Sequence, residues 1–179
     1  MPTIFELVDA DDADAIRGLL ARDPDAAAAR DEDGLSPLFR AAYRGRGAAF
    51  DAIRETVPPT DPWDRLIAGE AEGLPDPAAW SHDGFTALHL AAFARNVRAA
   101  RALLAAGADP NVVARASFAR VTPLGTAAFA GANEVARVLL EHGADPSIGE
   151  DAGGTPLDTA RANGNEELVV LLESAGRPG

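Results

Sequence analysis

The chain has 179 residues, 47% hydrophobic and 25% charged, the balance of a folded soluble domain rather than a disordered chain. Its net charge of −12 argues against unaided binding to nucleic acid, because the 16 basic residues, all arginine, are scattered and build no basic face. With no cysteine, disulfides, thiolate catalysis and cysteine-ligated metals are excluded.

Alanine is the commonest residue and aromatics are only 6%, so the core suits thin, closely approaching helical layers rather than two facing sheets. The arginine-only basic composition points to GC-rich coding of a bacterial kind. Met1-Pro2-Thr3-Ile4-Phe5-Glu6-Leu7 has neither a basic n-region nor an apolar h-region, and no stretch reaches the length of a membrane span. A cytoplasmic protein with no membrane contact is expected.

Taken in order, the chain repeats itself. Ser36-Pro37-Leu38-Phe39-Arg40-Ala41-Ala42 opens a helix with a hydroxyl N-cap and a proline at the first helical position, and Asp33-Gly34 supplies the tight turn before it. The next clear start, Thr86-Ala87-Leu88-His89-Leu90-Ala91-Ala92, comes 50 residues later, too far for one period. Residues 58–80 therefore hold either a degenerate repeat or a one-helix insertion. A first helix is expected from Pro62 to about Ala71, with a second cut short around Glu72 to Leu74 by Pro75 and Pro77. Trp63 is expected at the core position held by Leu38 and Leu88, and Trp80 in the space left by the shortened helix.

Thr122-Pro123-Leu124 follows Thr86 after 36 residues, the extra residues falling in a loop around Ala114 to Arg120, and Thr155-Pro156-Leu157 follows after 33. Second helices show apolar residues at helical spacing, Val135, Val138 and Leu139 in one and Leu168, Leu171 and Leu172 in another. Gly107 and Gly143 are expected left-handed C-terminal caps.

Asp83-Gly84-Phe85-Thr86-Ala87-Leu88-His89-Leu90-Ala91-Ala92 and Val138-Leu139-Leu140-Glu141-His142-Gly143-Ala144-Asp145-Pro146 resemble the two halves of the ankyrin repeat. The resemblance implies an all-α ankyrin-repeat solenoid of helix-turn-helix units in one domain, with about five to six repeats. These are a cap-like repeat at 1–30, repeats at 31–57, 81–114 and 115–148, the degenerate or inserted segment at 58–80, and a C-terminal repeat at 149–179. It also implies a structural hydrogen bond from His89 to a neighbouring turn and a concave docking surface for other proteins.

Candidate chemistry is sparse. Three dispersed histidines, His82, His89 and His142, make no zinc site, so neither metal nor cofactor is expected. The acidic group of Asp9, Asp11, Asp12, Asp14, Asp23, Asp25, Asp31, Glu32 and Asp33 reads as a solvated end or as a guide for a basic partner. Gly153-Gly154 lacks the ending of a phosphate loop, and no serine sits in a nucleophile elbow.

Seven positions after each cap stand Tyr43, Phe93, Phe129 and Ala162, so three of the few aromatics share one repeat position. With Phe85, Phe118, Leu35 and Val121 nearby, and Arg40 and Arg44 at one end, they form the expected protein-binding line. The alternative is that the rings pack between repeats. The expected function is non-catalytic binding of a partner protein, possibly a basic one, by a monomer of adaptor, inhibitor or immunity type. An acidic mimic of nucleic acid and an enzyme with an unrecognised site near 58–80 are the competing readings.

Overall fold

The computed structural model describes residues 1–116, 119–149 and 154–176. Eleven α-helices and one 3-10 helix occur among them, and no strand. The chain divides into two compact units, Met1–Ala68 and Gly69–Gly179.

Unit 1 contains α1 (Ile4–Asp9), α2 (Ala13–Leu20), a 3-10 helix (Pro24–Ala28), α3 (Pro37–Tyr43), α4 (Gly47–Thr56) and α5 (Pro62–Ile67). The first helix starts on a capping box, Thr3 hydroxyl accepting from Glu6 N–H while the Glu6 carboxylate accepts from Thr3 N–H. Helix α1 packs on α3 and α2 on α4, first helix against first and second against second, and α3 carries α5 on its other side. Ile16, Leu20, Leu38, Ile53 and Val8 fill the interior, with Ala41, Ala49 and Ala52 fully buried between the helices. Each large aliphatic group so buried contributes on the order of 2 kcal/mol, and the alanines set the close helix spacing that makes this burial possible.

Unit 2 contains three helical hairpins: α6 (Ala87–Phe93) with α7 (Val97–Ala105), α8 (Pro123–Ala130) with α9 (Asn133–Glu141), and α10 (Pro156–Ala162) with α11 (Glu166–Ala175). They stack in the same register, α6 on α8 on α10 and α7 on α9 on α11. Leu88, Leu103, Leu124, Leu139 and Leu168 are all buried, and the Ala91-Ala92 and Ala127-Ala128 pairs are fully so. The apolar stripes expected of the second helices face inward, Val135, Val138 and Leu139 being completely covered.

Second helices in this unit end as the glycines require. Gly107 and Gly143 have φ of 92° and 85°. The following amides, Ala108 and Ala144, donate back to Leu103 and Leu139 carbonyls at 2.9 and 3.0 Å, the paired bonds of a Schellman motif.

Residues 58–80 hold α5 alone. The expected short helix around Glu72 to Leu74 is a bend, because Pro75 and Pro77 leave too few residues for one helical turn to close. The helix itself ends at Ile67, four residues short of the expected Ala71. Trp63 is only half-buried; Leu66 and Ile67 enter the core instead, since the helix is rotated to bury the two aliphatic residues of its last turn. Trp80, also half-buried, pairs with Thr86 in an isolated antiparallel bridge, and the Arg115 guanidinium lies 4.0 Å from the centre of its ring.

Candidate functional site

In unit 2 the turns that precede the first helices are tied to one another by backbone and by one histidine. Ser81 N–H donates to Phe85 carbonyl at 2.8 Å and Ala114 N–H to Val121 carbonyl at 2.8 Å, closing two successive turns. Arg115 N–H donates to Gly84 carbonyl at 2.8 Å, joining the first turn to the second. His89 completes the link: its Nε2–H donates to Val121 carbonyl at 3.0 Å, while Nδ1 accepts from Thr86 Oγ1 at 2.8 Å. That is the neighbouring-turn bond implied by the resemblance. The ring is completely buried, and desolvation depresses its pKa to about 4 against the weaker opposing effect of the Val121 bond. A neutral, fully bonded histidine of this kind is a structural group.

The expected binding residues separate under this geometry. Phe129, last but one in α8, is 68% exposed, an unusual state for a ring of that size. Phe93, at the equivalent position of α6, is half-buried. Tyr43, at that position in α3 of unit 1, is 37% exposed and stacks on Phe39 with ring centres 6.2 Å apart.

Phe85 is a correction: it is 4% exposed and packs edge-on against His89 at 5.6 Å, because the turn folds its side chain under the helix it precedes. Arg40 is another. Its guanidinium donates to Asp9 Oδ1 and Oδ2 at 3.0 and 2.6 Å and to Asp31 at 2.8 Å, with the side chain 15% exposed above the Phe5 ring. Those hydrogen bonds, Asp9's first, raise the arginine pKa further, and the same bond from Arg40 holds the Asp9 carboxyl below its usual range. Arg40 is therefore a strut between α1 and α3. Arg44, half-exposed, reaches Asp9 at 3.2 Å. Phe118 lies outside the described residues.

The acidic end is partly structural as well. Asp11 Oδ1 accepts from Ala49 N–H at 2.8 Å and so joins two hairpins, and Asp12 caps α2 through Ala15 N–H at 3.0 Å. Among the described residues no group of three or more His, Cys, Asp or Glu is placed to hold a metal ion, and no helix is long and apolar enough to cross a membrane.

One residue beside the exposed ring escapes the sequence reading. Gly45, Gly131 and Gly164 follow their first helices in left-handed conformation, with φ of 63°, 65° and 65°, and at the same position after α6 stands Arg95, φ 54°. Its turn is held by bonds from Arg95 N–H to Ala92 carbonyl and Asn96 N–H to Ala91 carbonyl, at 3.1 and 2.8 Å. The guanidinium is exposed, and its Nη2 lies 3.6 Å from where a Cβ on Gly131 would be. The glycine column was the available signal, nine positions after each cap with one arginine out of line.

A side chain in the left-handed region costs about 1 kcal/mol relative to glycine. Arg95→Gly is accordingly expected to raise the thermal midpoint by a few degrees. A midpoint unchanged or lowered in calorimetry would show that Arg95 makes a stabilising contact that outweighs its backbone.

Stacked helical hairpins joined by hydrogen-bonded turns define the molecule as a helical-repeat protein. The ankyrin-repeat family model matches residues 83–115 and 120–150. Residues 83–115 and 120–150 are thus ankyrin repeats. Ankyrin repeats are generally protein–protein interaction modules and typically non-enzymatic. No curated protein matches the chain.

Proposed function

We propose that this protein is a non-catalytic binding module whose contact surface in unit 2 is centred on Phe129, with Phe93 and Arg95 beside the same turns. The observation that carries this reading is the 68% exposure of Phe129 on a helix whose preceding residues, Pro123 to Ala128, are all buried. A large ring left in water has an unfavourable surface that a partner can cover, and aromatic and arginine side chains are the residues most often found at the energetic centre of interfaces. In unit 1 Tyr43 and Arg44 offer the same chemistry at the end of α3. The partner is a protein, with the net charge of −12 favouring a basic one; the role is of adaptor or inhibitor type, carried out as a monomer in the cytoplasm.

Affinity capture from the source organism with the wild-type chain, identification of what is retained, and a binding measurement with Phe129→Ala test the proposal. The variant is expected to keep the wild-type thermal midpoint, since exposed substitutions change stability by within about 0.5 kcal/mol. Affinity is expected to fall by roughly thirtyfold, the loss of a hot-spot ring. Unchanged affinity of Phe129→Ala, and of the double variant with Phe93→Ala, would overturn it.

A further inference from the structure

A second recognition element lies in unit 1, where the chain departs from the repeat pattern. Helix α4 is followed by Val57, Pro58 and Pro59 rather than by the glycine cap that closes α7 and α9. Proline cannot donate into a Schellman turn, so the chain leaves α4 extended and returns only at Asp61, the N-cap of α5. Between this segment and the 3-10 helix Pro24–Ala28 remains a cavity of about 240 Å³. Leu38, Ile53, Val57 and Pro59 supply apolar wall.

Four charged groups line the same space, Asp25, Asp61, Asp64 and Arg30, three anions against one cation. Asp64 decides its character. It is 8% exposed, and its Oδ1 accepts from Ser36 Oγ at 2.5 Å. Among the described residues its Oδ2 has no hydrogen-bond donor: the nearest cation, Arg30 Nη1, stands 3.8 Å away, and Arg30 Nη2 is 3.6 Å from Asp61 Oδ2. Both contacts exceed hydrogen-bond length. Oδ2 of this largely buried carboxylate therefore lines an apolar-walled cavity with its neighbouring cation at ion-pair rather than hydrogen-bond distance.

We propose that this cavity binds one basic side chain, arginine or lysine, of a partner protein, its aliphatic stem against Leu38, Ile53 and Val57 and its cationic head on Asp64 Oδ2 and Asp61 Oδ2. The volume is below the range of roughly 300–1,000 Å³ that holds drug-sized ligands, and suits a single side chain. A long stem with a charged end matches apolar walls and a carboxylate base in a way that a neutral aliphatic or an anion does not. The incoming head supplies the donors that Arg30 is too distant to give. Burial pushes the Asp64 carboxyl up in the free protein, and a bound cation reverses that direction. The source of the side chain rests on the reading of the chain as a protein-binding module, whereas the chemistry of the cavity does not.

Amide NMR titration of the full chain with N-acetyl-arginine methylamide tests this, with the citrulline analogue as the uncharged control of the same shape. Saturable shifts at Ala27, Ile53, Val57 and Thr60 are expected with Kd in the millimolar range, about 1 mM. Asp64→Asn is expected to weaken binding about tenfold or more, and Arg30→Ala, which removes the competing cation, to tighten it. Saturation is expected to lower the Asp64 carboxyl titration midpoint. Equal binding of the citrulline analogue, no saturable shift, or indifference to Arg30→Ala would each overturn the proposal. The Arg30→Ala arm decides if Asp64→Asn fails to fold. A chain that binds the probe here while Phe129→Ala leaves partner affinity intact would show the cavity right and the aromatic surface wrong; the reverse result is equally distinguishable.

Discussion

Gly84→Ala is expected to destabilise unit 2 by about 3 kcal/mol or more. Gly84 has φ 87°, a conformation that costs an L residue on the order of 1–2 kcal/mol, and its missing Cβ faces backbone. An added methyl would lie 2.7 Å from Ala116 N and 2.8 Å from the Arg115 carbonyl carbon. Neither can move without breaking the Arg115 N–H to Gly84 carbonyl bond that joins the two turns. Gly107→Ala separates the two contributions, because Gly107 has a similar φ of 92° with open space around its Cβ position. Chemical denaturation of both variants should place Gly84→Ala well below Gly107→Ala. Equal losses would mean that backbone strain alone accounts for the effect and that the turns slide apart freely.

The second large effect is on acid stability. His89 titrates near 4 in the folded chain and near 6.5 when unfolded, so between those values the unfolded state binds a proton that the native state refuses. The sign follows directly: stability from this group is fully present above about pH 6.5 and is lost as pH falls towards 4. A shift of that size corresponds to about 3 kcal/mol. Carboxylates titrate in the lower part of the same window, so the comparison is with His89→Gln, whose side chain carries no titrating proton. The stability difference between wild type and variant is expected to shrink by about 3 kcal/mol between pH 7 and pH 4. A difference independent of pH would show that folding leaves the proton affinity of His89 unchanged and that Nδ1 does not serve as an acceptor for Thr86.

The repeat units, their helix starts and their glycine stops were legible because each is encoded within a few residues. Thr122 accepts from Gly125 N–H at 3.1 Å, three positions on, and the left-handed φ of Gly143 is a property of glycine wherever a helix must end. The bond of His89 to a neighbouring turn was implied only by the resemblance to the ankyrin repeat, since the Val121 carbonyl it reaches lies 32 residues away. The recurrence of aromatics at one repeat position was equally visible in the one-dimensional record.

What that record left open is which side of a ring or charge the next element covers. Phe85 and Phe129 are the same residue type in neighbouring repeats, yet one is sealed over His89 and the other is exposed. Arg40 and Arg95 are likewise both arginines near the end of a first helix. The former meets Asp9 and Asp31 from elements that precede it, and the latter stands in a left-handed turn with its side chain in solvent. The cavity under Asp64 exists only because Pro58 and Pro59 carry the chain away from α4 while the 3-10 helix approaches from 30 residues earlier. Caps, turns and apolar periodicity are satisfied by neighbours along the chain, and the amino-acid sequence determined them unaided. Exposure, pairing of charges and empty volume depend on distant elements arriving at a given spacing, and only the tertiary structure decided those.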